Sequence, residues 1–157
     1  MSSPALPDCS GTYVLLLESC TFDRLEVGRL GTLTLEPGCY LYVGSAFGPG
    51  GIAARVGRHA RQDKPRRWHI DTLREHARLV SVWYQCGEIH REAQWAEVLA
   101  KMRGLSVPLP GFGASDGKPG ASHLFFARRC PTRQAFRQAL RRAGLPDDEL
   151  RAVQMET

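Results

Sequence analysis

Two tyrosines stand at matching places in two predicted strands, in GTY at residues 11–13 and in YVG at residues 42–44. A phenol hydroxyl can donate or accept a hydrogen bond, and it can take a proton when its pKa is lowered. Gly11 opens one strand and Gly44 closes the other, and a glycine there lets a ligand or another backbone approach closely. The structural alternative is that tyrosine is simply a good strand former with a polar tip.

A helix predicted over residues 51–62 carries two further candidates. Arg55 and His59 are four residues apart, so they share one helix face. They flank the apolar stripe that begins with Ile52 and Val56, which directs them towards the sheet. Arginine suits the charge of a phosphate in transit, and histidine suits proton transfer or phosphate contact. The alternative is an exposed basic helix.

Glu92 is the candidate metal ligand. The pattern predicts a helix over residues 90–103 with Trp95, Ala96 and Leu99 on its buried stripe, and Glu92 lies one turn before Ala96. A carboxylate at the rim of an apolar stripe needs a partner. Mg²⁺ is such a partner, since one or two carboxylates plus water and substrate phosphate usually hold it. The alternative is an acid that the helix dipole favours near the helix N-terminus.

Basic residues cluster in two places. Between residues 55 and 67, with Asp63 the one acid, the bases are Arg55, Arg58, Arg61, Lys64, Arg66 and Arg67. The second cluster has six arginines and no acid over residues 128–142. Both predict a phosphate-binding surface, with Arg58, Arg61, Lys64, Arg66 and Arg67 as nucleic-acid ligands.

The WHID sequence at 68–71 follows the first basic cluster and adds His69 and Asp71 as candidates. Their alternative is a structural hydrogen-bonding pair at a helix start. The glycine-rich loop and strand at 110–125 carry Asp116, Ser122 and His123. No GxSxG nucleophile elbow accompanies them, and their spacing gives no triad geometry, so a serine hydrolase is disfavoured.

The elements that must position these residues form an α+β domain. Apolar and alternating runs predict strands at 11–19, in two short pieces over 24–35, and at 39–45, 79–86 and 122–127. Periodicity and caps predict helices at 51–62, 68–77, 90–103 and 131–144, with a short helix after Pro146. We expect a flexible tail over 1–10 and a single domain over 11–157, built on a small, mainly antiparallel sheet flanked by helices.

Composition narrows the function classes. The chain has 157 residues, 43% hydrophobic, with a net charge of +5. No apolar run reaches 18 residues, and the N-terminus lacks a basic start and an apolar core, so we expect no membrane span, no signal peptide and a cytoplasmic protein. Five cysteines, at 9, 20, 39, 86 and 130, form no CxxC pair. We therefore expect neither a disulfide framework nor a zinc site made of cysteines.

The motifs GTY, YVGSA, GPGG, RHAR, WHID, HREAQWA, GFGASD and SHLF, in this order over residues 10–127, resemble the GIY-YIG nuclease superfamily. The resemblance is to a small branch found alone or joined to endonuclease III-type repair proteins. It implies a three-stranded antiparallel core, DNA phosphodiester cleavage with one Mg²⁺ or Mn²⁺, and an endonuclease III-type protein as a partner. The chain departs from that branch at two places. Residues 117–120 stand where cysteines are expected, and Ala93 follows Glu92 where another cysteine is expected.

The resemblance also implies roles. Tyr13 or Tyr42 would orient or deprotonate the attacking water, and Arg55 would stabilise the phosphorane-like charge. His59 would assist proton transfer or position the phosphate, and Glu92 would hold the metal. The phosphate would cross the sheet face, so both tyrosines would face out and Gly44 would stay bare to admit it. The candidate supporting residues are Gly44, Ser45, His69, Asp71, Asp116 and His123.

These observations predict a metal-dependent nuclease acting on DNA, associated with repair. A non-catalytic nucleic-acid-binding module on the same fold is the alternative, and a protein-interaction domain with incidental basicity is a third reading. No zinc finger or helix-turn-helix stands out, so specificity must come from shape or from a partner. The substrate's form and the oligomeric state are left open by the sequence.

Overall fold

A run that is apolar on both faces, GTYVLLLES, forms the central strand of the sheet. The computed structural model describes residues 6–61, 64–113 and 121–155. Its strands are β1 Gly11–Ser19, β2 Asp23–Val27, β3 Gly31–Leu35, β4 Gly38–Ala46, β5 Arg78–Cys86, β6 Leu124–Ala127 and β7 Arg151–Gln154. Its helices are α1 Gly51–Ala60, α2 His69–Arg74, α3 Glu92–Lys101 and α4 Arg133–Arg142.

Five of the strands form one sheet in the order β6-β4-β1-β5-β7, with every neighbouring pair antiparallel. β2 and β3 form a separate hairpin. The predicted α+β class with a mainly antiparallel sheet is confirmed, and β4-β1-β5 is its three-stranded centre. The register places Tyr13 of β1 opposite Gly44 of β4 and opposite Tyr84 of β5.

Each face of the sheet has its own core, because successive side chains of a strand point to opposite faces. On one face Tyr13, Leu15 and Leu17 pack with α1, α2 and the β2–β3 hairpin. On the other face Val14 and Leu16 pack with α3 and α4. The sheet is therefore the middle layer, and the candidate residues of α1 and of β1 lie on the same side of it.

The start of α1 is tied to the segment that precedes β1. The backbone N–H groups of Ile52 and Ala53 donate to the carbonyl oxygens of Cys9 and Pro7, which satisfies donors that a helix start leaves free. Gly51 has φ 58°, and a Cβ there would overlap the carbonyls of Asp8 and Cys9. Residues 7–10, part of the predicted flexible tail, thus belong to the folded unit.

The chain end differs from its prediction. The helix expected after Pro146 is wrong, because residues 151–154 form β7, which pairs with β5 from Ser81 to Tyr84. An unpaired edge of β5 favours an added strand more than local propensity favours a helix. The preceding helix is confirmed: the Thr132 hydroxyl accepts from the Ala135 N–H, and Gly144 follows with φ 76°.

Two disulfides correct the expectation that the cysteines form no framework. Cys9 bonds to Cys86, and Cys39 bonds to Cys130, with Cα–Cα distances of 5.8 and 5.1 Å. Both pairs are more than 75 residues apart in the chain, so spacing could not reveal them. Among the cysteines, all of which lie in the described ranges, Cys20 alone is free, and it is exposed. Within the described residues, none of the helices is both long enough and apolar enough to cross a membrane.

Candidate active site

A cavity of about 360 Å³ opens where β1, β4, α1 and the start of α3 meet. It collects residues from six separate parts of the chain. The lining residues are Tyr13, Tyr42, Gly44, Ser45, Arg55, His59, Arg67, Trp68, His69, Glu92 and Gly113. All five residues that the resemblance singled out for catalysis and metal binding therefore line one cavity.

Tyr13 and His59 form the buried floor of this cavity. The Tyr13 Oη atom lies 2.8 Å from His59 Nε2, and the two side chains are almost fully buried. The expectation that the tyrosines face outward is wrong: Tyr13 is 1% exposed and Tyr42 is 8% exposed. Both rings belong to the core, and they reach the cavity from below rather than from solvent.

Gly44 has a different reason for lacking a side chain than the one expected. A Cβ at Gly44 would overlap the ring and the hydroxyl of Tyr13, which crosses directly over it. The glycine is therefore needed first by Tyr13, its partner in the β1–β4 register. It still lines the cavity, so its backbone remains part of the site wall.

Burial sets the protonation states of this floor. It raises the pKa of Tyr13 well above 10, and Tyr42 and Glu92 raise that pKa further, whereas the Arg55 guanidinium opposes them. The pKa of Tyr42 is raised mainly by burial and also by Glu92. Burial lowers the pKa of His59 to about 3. At neutral pH both phenols are therefore protonated and the imidazole is neutral. Tyr13 and His59 Nε2 share one hydrogen bond, and the tautomer of His59 decides which of the two donates.

Arg55 is held by an aromatic ring. Its guanidinium lies 4.9 Å from the centre of the Trp68 ring, and the Arg58 guanidinium lies 4.1 Å from the same centre. Such cation–π contacts fix the direction of a long side chain and, unlike a carboxylate, do not neutralise its charge. Trp68 also lies 5.8 Å from the His59 ring, so one indole contacts both predicted catalytic residues of α1.

Asp71 fixes this arrangement from behind. Its carboxylate accepts two hydrogen bonds from Arg58, at 3.0 Å each, and further bonds from the backbone N–H groups of Arg67 and Trp68. Its side chain is 1% exposed. Burial raises the pKa of this carboxyl, but the bonds from Arg58 and the two N–H groups outweigh burial and lower it to about 2. Asp71 thus has a structural role at the start of α2, as the alternative had it, but its partners are Arg58 and two backbone N–H groups, whereas His69 bonds Gly113.

The basic residues divide between the site and the fold. Of the five predicted phosphate-binding cations, Arg67 lines the cavity. Arg58 is bound to Asp71, Arg66 forms an exposed ion pair with Glu75, and Lys64 bonds the carbonyls of His59 and Arg61. Arg61 is exposed at the end of α1.

The second basic cluster has a structural use as well. Arg133 donates to the Leu150 carbonyl, and Arg137 and Arg141 contact the Asp147 carboxylate. These three arginines fasten the segment that leads into β7. Half of the predicted second phosphate surface is therefore occupied by contacts within the chain.

Glu92 begins α3 and points its carboxylate at the cavity wall, with His123 Nδ1 3.3 Å from its Oε1 atom. Its side chain is 32% exposed, so one side remains open to solvent. Within the described residues, no group of three or more His, Cys, Asp or Glu side chains could hold a metal ion. A single carboxylate with one side open to solvent is a donor that Mg²⁺ commonly takes together with water and substrate oxygens.

His69 is the other histidine of the cavity. Its Nδ1 atom accepts a hydrogen bond of 3.0 Å from the Gly113 N–H. The neutral ring therefore carries its proton on Nε2, where it is a donor. Gly113 has φ 73° and its Cβ position is crowded by the Tyr42 ring, so glycine is required for this bond to form.

The remaining candidates have separate outcomes. Ser122 exchanges hydrogen bonds with the backbone of Leu124, which is a structural use. Asp116 lies outside the described residues. Trp68 and Gly113 are site residues that the sequence reasoning did not select. Trp68 begins the WHID motif, shortly after the helix that carries Arg55 and His59, and this position could have indicated its role. No feature of the sequence around Gly113 distinguishes it from the other glycines of its loop.

Comparison with known proteins bears on the family. A family model described as a domain of unknown function, DUF123, matches residues 12–145. No curated protein and no solved structure matches the chain. The matched span contains all of the residues that line the cavity. The chain therefore belongs to the DUF123 family.

Proposed function

We propose that this protein is a GIY-YIG-type nuclease that cleaves a phosphodiester bond of DNA with one bound Mg²⁺ or Mn²⁺ ion. The observation that supports this most is the convergence of Tyr13, Tyr42, Arg55, His59 and Glu92 on one cavity. They come from four elements, β1, β4, α1 and α3, that are separated along the chain.

Arg55 is the phosphate ligand of the proposed site. Its guanidinium packs against the Trp68 ring. None of the ion pairs among the described residues involves Arg55. A cation fixed before the substrate arrives can stabilise charge that develops on the phosphate oxygens without reorganisation. The Nε2 proton of His69 is a second donor for the same phosphate.

Tyr13 and His59 handle the attacking water. Burial keeps the phenol protonated and the imidazole neutral. In this proposal the proton of His59 is on Nδ1, so that Tyr13 donates to His59 Nε2 and keeps oxygen lone pairs for a water molecule. A bound phosphate adds negative charge to the cavity, which raises the pKa of His59 and favours proton transfer through Tyr13 to that nitrogen. Placement of water, rather than a preformed tyrosinate, is the contribution of the pair.

Glu92 would hold the divalent cation, and the His123 ring beside it limits the directions that its carboxylate can take. When bound, the cation would lower the pKa of a water molecule that it holds, and its positive charge would stabilise the negative charge on the phosphate. Repair association and an endonuclease III-type partner are part of the same proposal, and they rest on the motif resemblance alone.

Strand cutting tests the proposal. Labelled single-stranded, duplex and branched DNA would each be incubated with Mg²⁺, Mn²⁺ or EDTA, using the wild-type protein, Arg55→Ala and Arg103→Ala. Arg103 is the matched control because it is exposed, lies outside both basic clusters and does not line the cavity. We expect metal-dependent cutting that Arg55→Ala lowers at least about 100-fold and Arg103→Ala leaves nearly unchanged.

The competing readings give different results. A non-catalytic module would bind DNA with an affinity that falls steeply as salt rises, would ignore Mg²⁺ and would cut nothing. A protein-interaction domain would bind DNA no better than a protein of equal charge. Cutting that persists in EDTA would remove the divalent cation from the proposal.

A further inference from the structure

A pair of stacked aromatic rings, one of them exposed, lies close in sequence to residues that line the cavity. The rings of Phe47 and His90 have centroids 3.7 Å apart and planes 17° apart, which is a parallel stack. Phe47 follows the last residue of β4, and His90 lies in the loop before α3. His90 is exposed, so the outer face of its ring is open to solvent.

The position of this stack relates it to the proposed site. Phe47 is two residues after Ser45, and His90 is two residues before Glu92, and both Ser45 and Glu92 line the cavity. Two residues of chain span at most about 7 Å. The distance between neighbouring phosphates of an extended strand is similar, so a base next to a phosphate in the cavity can reach the stack.

The surroundings favour a base over a phosphate at this place. Ile89 is next to His90 and is 62% exposed, one of few large apolar side chains exposed in the described chain. Glu88, on the same loop, is also exposed. A carboxylate repels phosphate, whereas an apolar and aromatic surface attracts the flat face of a nucleobase.

We propose that Phe47, His90 and Ile89 form a platform on which one nucleobase stacks beside the phosphate held in the cavity, and that the protein therefore binds single-stranded DNA in preference to duplex. In a duplex both faces of a base are covered by its neighbours, so an unpaired base is needed. This inference rests on the proposed function for the position of the phosphate, and it names the substrate class.

Equilibrium binding tests the platform without any cutting. A labelled single strand of about 12 nucleotides and the matching duplex would be titrated with protein in EDTA, at several salt concentrations, with fluorescence anisotropy as the readout. His90→Ala and Phe47→Ala are the test variants. Phe22→Ala is the control, because Phe22 is 75% exposed and lies beyond the opposite end of β1.

We expect each test variant to weaken single-strand binding about tenfold, to change duplex binding little, and to leave the salt dependence of affinity unchanged. The slope of log affinity against log salt concentration reports how many phosphates the protein contacts, and a stacked base adds no phosphate contact. Arg67→Ala should instead reduce the slope. His90→Tyr, which keeps a stacking ring, should restore single-strand affinity, and this rescue separates stacking from misfolding.

Several results would overturn the platform: wild-type affinity in both alanine variants, equal losses for single strand and duplex, or no rescue by His90→Tyr. Its failure is distinct from failure of the nuclease. A protein that stacks a base but cuts nothing keeps the platform and loses the nuclease, and a protein that cuts with unchanged affinity in the variants does the reverse.

Discussion

The hydroxyl of Tyr13 and the Nε2 atom of His59 lie 2.8 Å apart at the floor of the cavity, although they are 46 positions apart in the chain. The contact joins the central strand to α1, the helix that also carries Arg55. It is made between a phenol whose pKa burial raises and an imidazole whose pKa burial lowers to about 3. The pair therefore joins the sheet to α1 through two side chains whose pKa values burial shifts in opposite directions.

Acid should unfold the protein partly through His59. The pKa of His59 is about 3 in the fold and roughly 6.5 in an unfolded chain. Between these values the unfolded state binds a proton that the folded state does not. The contribution of neutral His59 to the free energy of unfolding is thus complete above roughly pH 6.5, and it is lost as the pH falls towards 3.

Unfolding in denaturant at a series of pH values checks this. His59→Gln should show a shallower loss of unfolding free energy between pH 6.5 and pH 4 than the wild type. His76→Gln is the control, since His76 lies at the surface. Equal slopes for the wild type and His59→Gln would contradict the assignment.

The buried pair of Arg58 and Asp71 should matter far more than the exposed pair of Arg66 and Glu75. Asp71→Asn removes the counter-charge of the partly buried Arg58 guanidinium, and we expect it to lower the free energy of unfolding by about 3 kcal/mol. Glu75→Gln should leave it nearly unchanged, because that pair is exposed to water. Thermal and denaturant unfolding of the two variants would settle the contrast; similar effects would argue against the burial of Asp71.

Two glycine substitutions should have opposite effects. Gly44→Ala forces a Cβ into the Tyr13 ring, so it should destabilise the fold and abolish cutting. Gly57→Ala lies within α1 where nothing stands within 4 Å of the added carbon, and it should stabilise the protein by up to about 1 kcal/mol. Melting temperatures would show this directly, and a Gly44→Ala protein with wild-type stability would refute the close approach of Tyr13.

The disulfide pairing predicts a thiol count. Denatured, unreduced protein should present one reactive thiol per chain, that of Cys20, and reduction should expose all five. Joint replacement of Cys9 and Cys86 by serine should cost about 2–5 kcal/mol of stability, whereas Cys20→Ser should cost little. Titration with a thiol reagent measures the count, and a value of five without reductant would exclude both bonds.

The chain's regular elements were largely predictable, because β1, α1 and α4 carry patterns that packing reinforces. GTYVLLLES is apolar on both faces and forms the central strand. Thr132 caps the start of α4, and Gly144 follows its end. The strand β7 was not predictable, since four residues acquire strand geometry by pairing with β5, about 70 residues earlier in the chain.

The site was predictable in its residue types and less so in its partners. Arg55 and His59 share a helix face by spacing alone, yet nothing in that spacing shows that Trp68 lies under Arg55. Arg58 and Arg67 belong to the same basic cluster of the sequence. In the fold, however, Arg58 donates its hydrogen bonds to Asp71, thirteen residues away. Cysteine pairing and the overlap of Tyr13 with Gly44 likewise depend on register, which composition does not encode.

Single-turnover cleavage of labelled DNA in Mg²⁺ by the wild type, Glu92→Gln and Glu97→Gln would show whether cutting depends on Glu92. Both acids belong to α3, but Glu92 lines the cavity and Glu97 is exposed outside it. We predict cutting by the wild type, a similar rate for Glu97→Gln, and a loss of at least about 100-fold for Glu92→Gln. Equal rates for the two variants, or no cutting by the wild type on any DNA form, would contradict a nuclease centred on Glu92.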